Sequence, residues 1–300
     1  MKSKYIVLLA MTCPGLALAG TPISETRAVS DDARIEITNV KGAVNVSAWD
    51  KAEVAISGTL GDGSKGLAIE GEGSHLQVRV EGTDKSKAWF HWGSDAAMEE
   101  SVLNLKVPRK ASLEINVVSA DVSVVDLTGR SIEVDSVSGK VRLNASSERL
   151  RVDSVSGDVE FDGKAGETNI ETVSGDVSAR GVGGRTRLET VSGTVRIEAS
   201  TPLSDASAGS VSGDIEIRGA LDKKGRIHVE SMSGDVRLNL PADLSARIQA
   251  ETFSGTLRSD FGAVEKREHG PGSNIDASVG NGDGDINIDS FSGSVTLHRE

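Results

Sequence analysis

Apolar and polar residues alternate along most of the chain, and in its C-terminal two-thirds the alternation breaks repeatedly on the same short sequence. Between Leu150 and Phe161, apolar Leu150 and Val152 are separated by Arg151 and Asp153. Ser154, Val155, Ser156 and Gly157 then interrupt, and Val159 and Phe161 resume against Asp158 and Glu160. Period-two alternation predicts a half-buried strand, and glycine between two such runs predicts a corner. The same layout returns at Ile132, Val134, Val141 and Leu143, at Ile227, Val229, Val236 and Leu238, and at Ile286, Ile288, Val295 and Leu297.

The corners are marked by Gly139, Gly157, Gly175, Gly193, Gly213, Gly234, Gly255 and Gly293. Successive copies lie 18 to 21 residues apart, except for a last interval of 38, which predicts two ordinary periods with the middle copy unmarked. A degenerate earlier copy, Val117-Val118-Ser119-Ala120-Asp121-Val122, puts Ala120 in the glycine phase. A fixed period near 20 is the mark of a stacked-repeat array, in which each unit buries its apolar face against its neighbours. Two short strands per period are too few for a propeller blade, and no helical segment is present for a leucine-rich or α/β repeat. The expected fold is therefore all-β, a β-solenoid of two-strand rungs stacked about 4.8 Å apart.

Upstream, alternation persists without the clean period. Runs around Ile35, Val44, Val54, Leu67, Leu76 and Leu103 each predict a strand, with turns at the glycines of residues 61–63 and 71–73. Residues 20–110 are expected to form an irregular N-terminal β-domain, either a small sandwich or atypical first rungs, and residues 111–300 the solenoid proper. A solenoid end left open exposes apolar core and unpaired backbone, so residues 20–110 are well placed to serve as a cap.

The repeated unit, seen as Ser154-Val155-Ser156-Gly157-Asp158-Val159 and Thr172-Val173-Ser174-Gly175-Asp176-Val177, resembles that of a bacterial family of β-strand-repeat proteins of unknown function commonly labelled as adhesins. The resemblance covers most of the chain. It implies an extended envelope or surface protein with no established activity and a role in adhesion.

Composition narrows the setting. Residues 1–19 begin with Lys2 and Lys4, continue through a short apolar run and end at Ala17-Leu18-Ala19, the layout of a secretory signal peptide cleaved after Ala19. The only cysteine, Cys13, lies inside it, so the mature protein has no disulfide or thiol chemistry. The chain carries 33 basic and 45 acidic residues, and cleavage removes two of the former. So acidic a protein disfavours nucleic acid and anionic membrane as partners.

Three features are candidates for function. Trp89, Phe90, His91 and Trp92 gather two of three tryptophans in one stretch, which can bind a sugar or a protein or fold back as an apolar lid. Stacking also turns motif positions into columns. Ser138, Ser156, Ser174 and their equivalents form one, and Ser136, Ser154, Thr172 and theirs form another, with hydroxyls placed to donate along the stack. Asp135, Asp153, Glu171, Glu189, Glu230, Glu251 and Asp289 share one outward position, and Asp158, Asp176, Asp214 and Asp235 follow the corner glycine. These acids read as a solvated face or as oxygen ligands for bridging divalent cations. Asn281-Gly282-Asp283-Gly284-Asp285 reads as a tight turn rather than a calcium loop.

Enzymatic chemistry has little to stand on in this pattern. The five histidines are isolated, no serine has a histidine and carboxylate at nucleophile spacing, and the turns are short and uniform. The expected protein is thus a secreted, non-enzymatic adhesin or recognition protein of the periplasm or cell surface. Its expected partner is an envelope polysaccharide or protein, with no cofactor and no metal site. The alternatives are a self-assembling scaffold joined through rung edges, with residues 294–298 as the free C-terminal edge, and, behind it, a polysaccharide-active enzyme.

Overall fold

The computed structural model describes residues 20–82, 98–266 and 271–300. The candidate signal segment and the aromatic stretch Trp89, Phe90, His91 and Trp92 lie outside them. Within the described residues the chain is strand and turn with no helix, and no segment forms a helix long and apolar enough to cross a membrane.

The alternation becomes a stack of parallel rungs. The strands Val141–Ser156, Val159–Ser174 and Val177–Ser192 pair in parallel and in register, Val152 opposite Ile170 and Ile170 opposite Leu188. Each long strand is the second half of one rung running into the first half of the next. Inward residues such as Val152, Phe161, Ile170 and Leu188 are buried to within 1% of full. They belong to one apolar core that extends from Val29 to Leu297. Valine and isoleucine suit this layout because β-branched side chains pack well on a pleated surface with one face buried.

Corner glycines are required twice over. Gly175 has a φ of +143°, and a Cβ there would lie 2.2 Å from the carbonyl oxygen of Gly157 in the rung before. Backbones therefore touch at the corner, and only glycine offers both the conformation and the space.

The N-terminal region joins the same stack. Residues 34–47 pair in parallel with residues 112–125, and on their other side with residues 75–79 and 101–106. Gly42, opposite Ala120, occupies the corner phase. Residues 34–47, 75–79 and 101–106 are therefore rungs of this stack.

At the C-terminal end the spatial order departs from the chain order, and two expectations need correction. The Gly293 rung is not last. Val295 pairs with Val236 on one side and with Leu257 on the other, and Ile286 lies between Ile227 and Ile248. The final strands are thus inserted between the Gly234 and Gly255 rungs, so residues 294–298 are interior and offer no free edge. Nor does the 38-residue interval conceal an unmarked rung. It contains an excursion whose strand Ser273–Val279 runs antiparallel along Ala246–Ser254 and covers the outermost rung. The N-terminal end repeats the device, the strand Glu53–Leu60 running antiparallel to Ser101–Pro108. Antiparallel covers satisfy backbone groups that an exposed terminal rung would offer to other chains.

Candidate functional site

Strand parity decides what the repeat shows to solvent. In the first half of a rung Val152 points inward, Asp153 outward, Ser154 inward and Val155 outward, and the burial of these four residues alternates accordingly. The motif valine is therefore placed on the surface next to the acidic column. Register carries it from rung to rung as Val118, Val137, Val155, Val173, Val191, Val211, Met232, Phe291 and Phe253. Phe253 and Phe291, distant in sequence, become neighbours through the inserted rung and stack with ring centres 5.0 Å apart and planes 8° from parallel.

This ridge is exposed along its length except at half-buried Val137. Met232 is 58% accessible, Phe291 54% and Val155 50%. Apart from Val125, every large apolar residue exposed among the described residues lies on it. It forms the floor of an open groove of about 1340 Å³. Sequence reasoning missed the ridge because the Ser-Val-Ser-Gly segment was treated as an interruption of the alternation. Continuing the inward-outward count from Val152 through the interruption would have found it.

The acidic column flanks the ridge, and Asp135, Asp153, Glu171, Glu189, Glu230, Asp289 and Glu251 all line the groove. Gly209 interrupts the column between Glu189 and Glu230. Some carboxylates have partners on the side away from the ridge: Arg151 Nε lies 2.7 Å from Asp153, and Arg187 Nη2 2.6 Å from Glu189. Burial, followed by the repulsion of Asp153 and Glu133, raises the Asp135 carboxyl above its ordinary value of 3.8.

A raised pKa fixes the sign of an effect. The stability due to Asp135 is fully present below pH 3.8 and is lost as the pH rises through the folded-state value. Asp135→Asn is therefore expected to raise the melting temperature at neutral pH. The gain should vanish in acid, as thermal unfolding of both proteins across pH will show.

The second acidic column does something else. Asp158 Oδ1 accepts the backbone N–H of Asp176 at 3.2 Å, and Asp176 Oδ1 accepts that of Thr194 at 2.7 Å. Asp214 and Asp235 likewise accept the amides of Asp235 and Ser294, each at 2.8 Å. Each aspartate after the corner glycine thus staples its rung to the next through a charge-assisted hydrogen bond. No group of three His, Cys, Asp or Glu residues among the described residues could hold a metal ion. Asp176→Ala is expected to cost about 1–2 kcal/mol, and Asp176→Asn less because an amide oxygen still accepts. Calcium or a chelator should leave the melting temperature unchanged; a rise with calcium would restore cation bridging.

The remaining candidates find structural places. The inner hydroxyl column is buried, but donation along the stack is not its rule: Thr190 Oγ1 donates to the Gly175 carbonyl at 3.4 Å, whereas the hydroxyls of Ser136, Ser154, Thr172, Ser210, Ser231, Thr252 and Ser290 make no hydrogen bond. Ser138, Ser156 and Ser174 lie exposed on the corner side of the ridge. In the tail, Gly282 N–H donates to Val279, Gly284 N–H to Ser245, and Ser245 Oγ to Asp283, which closes a turn. His228 and His298 face Glu230 and Asp260 rather than any serine.

The chain matches the family model Toastrack DUF4097 over residues 33–298. Among solved structures it is similar to a candidate adhesin from Parabacteroides distasonis, at 12% identity, 93% coverage of this chain and 97% of that one, with a TM-score of 0.51. It is also similar to a candidate lipid-binding protein from the same organism, at 14% identity, 93% and 98% coverage and a TM-score of 0.52. At these identities the likeness is one of fold. No curated protein matches the chain in sequence.

Proposed function

The chain belongs to the Toastrack DUF4097 family, and from that premise we propose that it is a secreted, non-enzymatic recognition protein of the bacterial envelope, an adhesin in the broad sense, that holds its partner along the groove. The observation that carries this reading is the concentration of exposed apolar side chains on one continuous ridge. Soluble proteins scatter such residues; a contiguous patch marks an interaction surface. The descriptions borne by the two solved structures, adhesin and lipid-binding protein, both concern binding. Growth through rung ends has less support, since it would have to displace the antiparallel covers at residues 53–60 and 273–279.

The test is co-sedimentation of residues 20–300 with peptidoglycan, outer-membrane lipid and surface polysaccharide. It is run beside a folded Val173→Ser/Val191→Ser variant and a folded Trp89→Ala/Trp92→Ala variant. The parent is expected to sediment with one fraction and the ridge variant to lose it. Loss only in the tryptophan variant would move recognition to Trp89, Phe90, His91 and Trp92. Absence of binding by the parent, together with concentration-dependent growth, would favour the scaffold.

A further inference from the structure

The groove's geometry and charge restrict what can lie in it. Its strands cross the groove, and their main-chain groups are spent on neighbouring rungs, as in the bonds from Gly157 N–H to Ser174 and from Gly175 N–H to Ser192. A ligand therefore finds side chains along the stack and no sheet edge to extend. Ridge side chains repeat at the rung spacing of about 4.8 Å. An extended peptide presents same-side residues every ~6.7 Å, whereas a helix presents one turn every ~5.4 Å and satisfies its own backbone. A helical stripe thus stays in phase with the ridge over three or four rungs, while a strand falls out of phase within two.

Charge selects further. The column from Asp135 to Glu251 lines the groove, whereas on the other side of the ridge Ser156 and Ser174 are exposed, and the aspartates beyond them, Asp158 and Asp176, accept the amides of the next rung. Arg151 and Arg187 are about half exposed, so their pairs with Asp153 and Glu189 are weak and screened. An anionic occupant is repelled, and a second copy of this chain would bring its own acids against these. A cation at every turn of a helix edge would instead meet a carboxylate at each of the three or four rungs over which the two repeats stay in phase. The ridge also widens from valines to Met232, Phe291 and Phe253, residue types that anchor helices in apolar grooves.

We infer that the groove binds a cationic amphipathic helix lying along the stack, its apolar stripe on the ridge between Val118 and Phe253 and its basic edge against the acidic column. The ridge spans roughly 38 Å, which a helix of about 25 residues covers. This inference rests on the groove being the recognition surface.

The probe is a labelled model helix of leucine and lysine in a 3.6-residue pattern, about 24 residues long, followed by fluorescence anisotropy with residues 20–300. Controls are a scrambled peptide of the same composition, a leucine–glutamate counterpart and vesicles of neutral and anionic phospholipid. The patterned cationic helix is expected to bind at least ~10-fold tighter than either control peptide, a gap of about 1.4 kcal/mol. Val173→Ser/Val191→Ser should weaken it ~10-fold, and Glu171→Gln/Glu189→Gln should weaken it several-fold and flatten its salt dependence. Equal binding of patterned and scrambled peptides, or binding unchanged in both variants, overturns the inference. So does preference for the vesicles or for the glutamate peptide. If no peptide binds while the valine variant still loses the envelope fraction, the helix is wrong and the groove reading stands. If the valine variant loses nothing in either assay, the groove reading falls as well.

Discussion

Deletion of residues 284–300 should unfold the C-terminal part of the stack and not merely shorten it by a rung. In a solenoid whose spatial order follows the chain, loss of the last copy removes one edge unit and leaves its neighbour as the new end. Here the deleted strands lie between the Gly234 and Gly255 rungs, so their loss also detaches Ala246–Ser254 from its only parallel partner. The buried side chains Ile286, Ile288, Val295 and Leu297 disappear. Each contributes about 1.5–3 kcal/mol, so the combined loss rivals the 5–15 kcal/mol that typically holds a domain together. Limited proteolysis of the truncated protein should cut from about residue 240 onward, with a large fall in melting temperature. A truncated protein that resists protease through residue 266 would show that the inserted rung is dispensable.

Gly175→Ala should rank with the other corner glycines among the most damaging substitutions of its size. The new methyl would sit 2.2 Å from a main-chain oxygen at a φ of +143°, where L residues are strained. Backbone strain and overpacking together put the loss at roughly 3 kcal/mol or more. Gly209→Ala is the matched control. It lies at an ordinary φ in the acidic column, its Cβ would meet nothing closer than 3.5 Å, and the expected change is within about 0.5 kcal/mol. Chemical denaturation of the pair measures the difference. Similar losses would mean that the corner column relaxes to admit a side chain.

These two experiments probe different kinds of information. The corner was legible because glycine recurs at one phase while apolar residues alternate on either side. The acidic columns were legible for the same reason, although the role of Asp176 was not. Only the structure shows that its carboxylate accepts the next rung's amide. The ridge was present in the sequence as Val155, Val173, Val191, Met232 and Phe253, and counting through the interruption would have exposed it. Whether Trp89, Phe90, His91 and Trp92 add to that surface is a matter for the sedimentation experiment.

What the sequence determined by itself is local: strand from the period of two, corners from glycine, and the all-β stacked architecture from the recurrence of both. Parity and backbone conformation act over a few residues, so each copy carries its own instructions. Tertiary structure decided which copy lies beside which. Near-identical repeats make almost equivalent strand partners, and nothing in the motif distinguishes the Gly255 rung from the Gly293 rung as a neighbour for Gly234. That choice rests on which arrangement covers the exposed edges, and here it is made by an excursion outside the repeat, Ser273–Val279, seated along Ala246–Ser254. The same choice brings Phe253 and Phe291 together and completes the ridge.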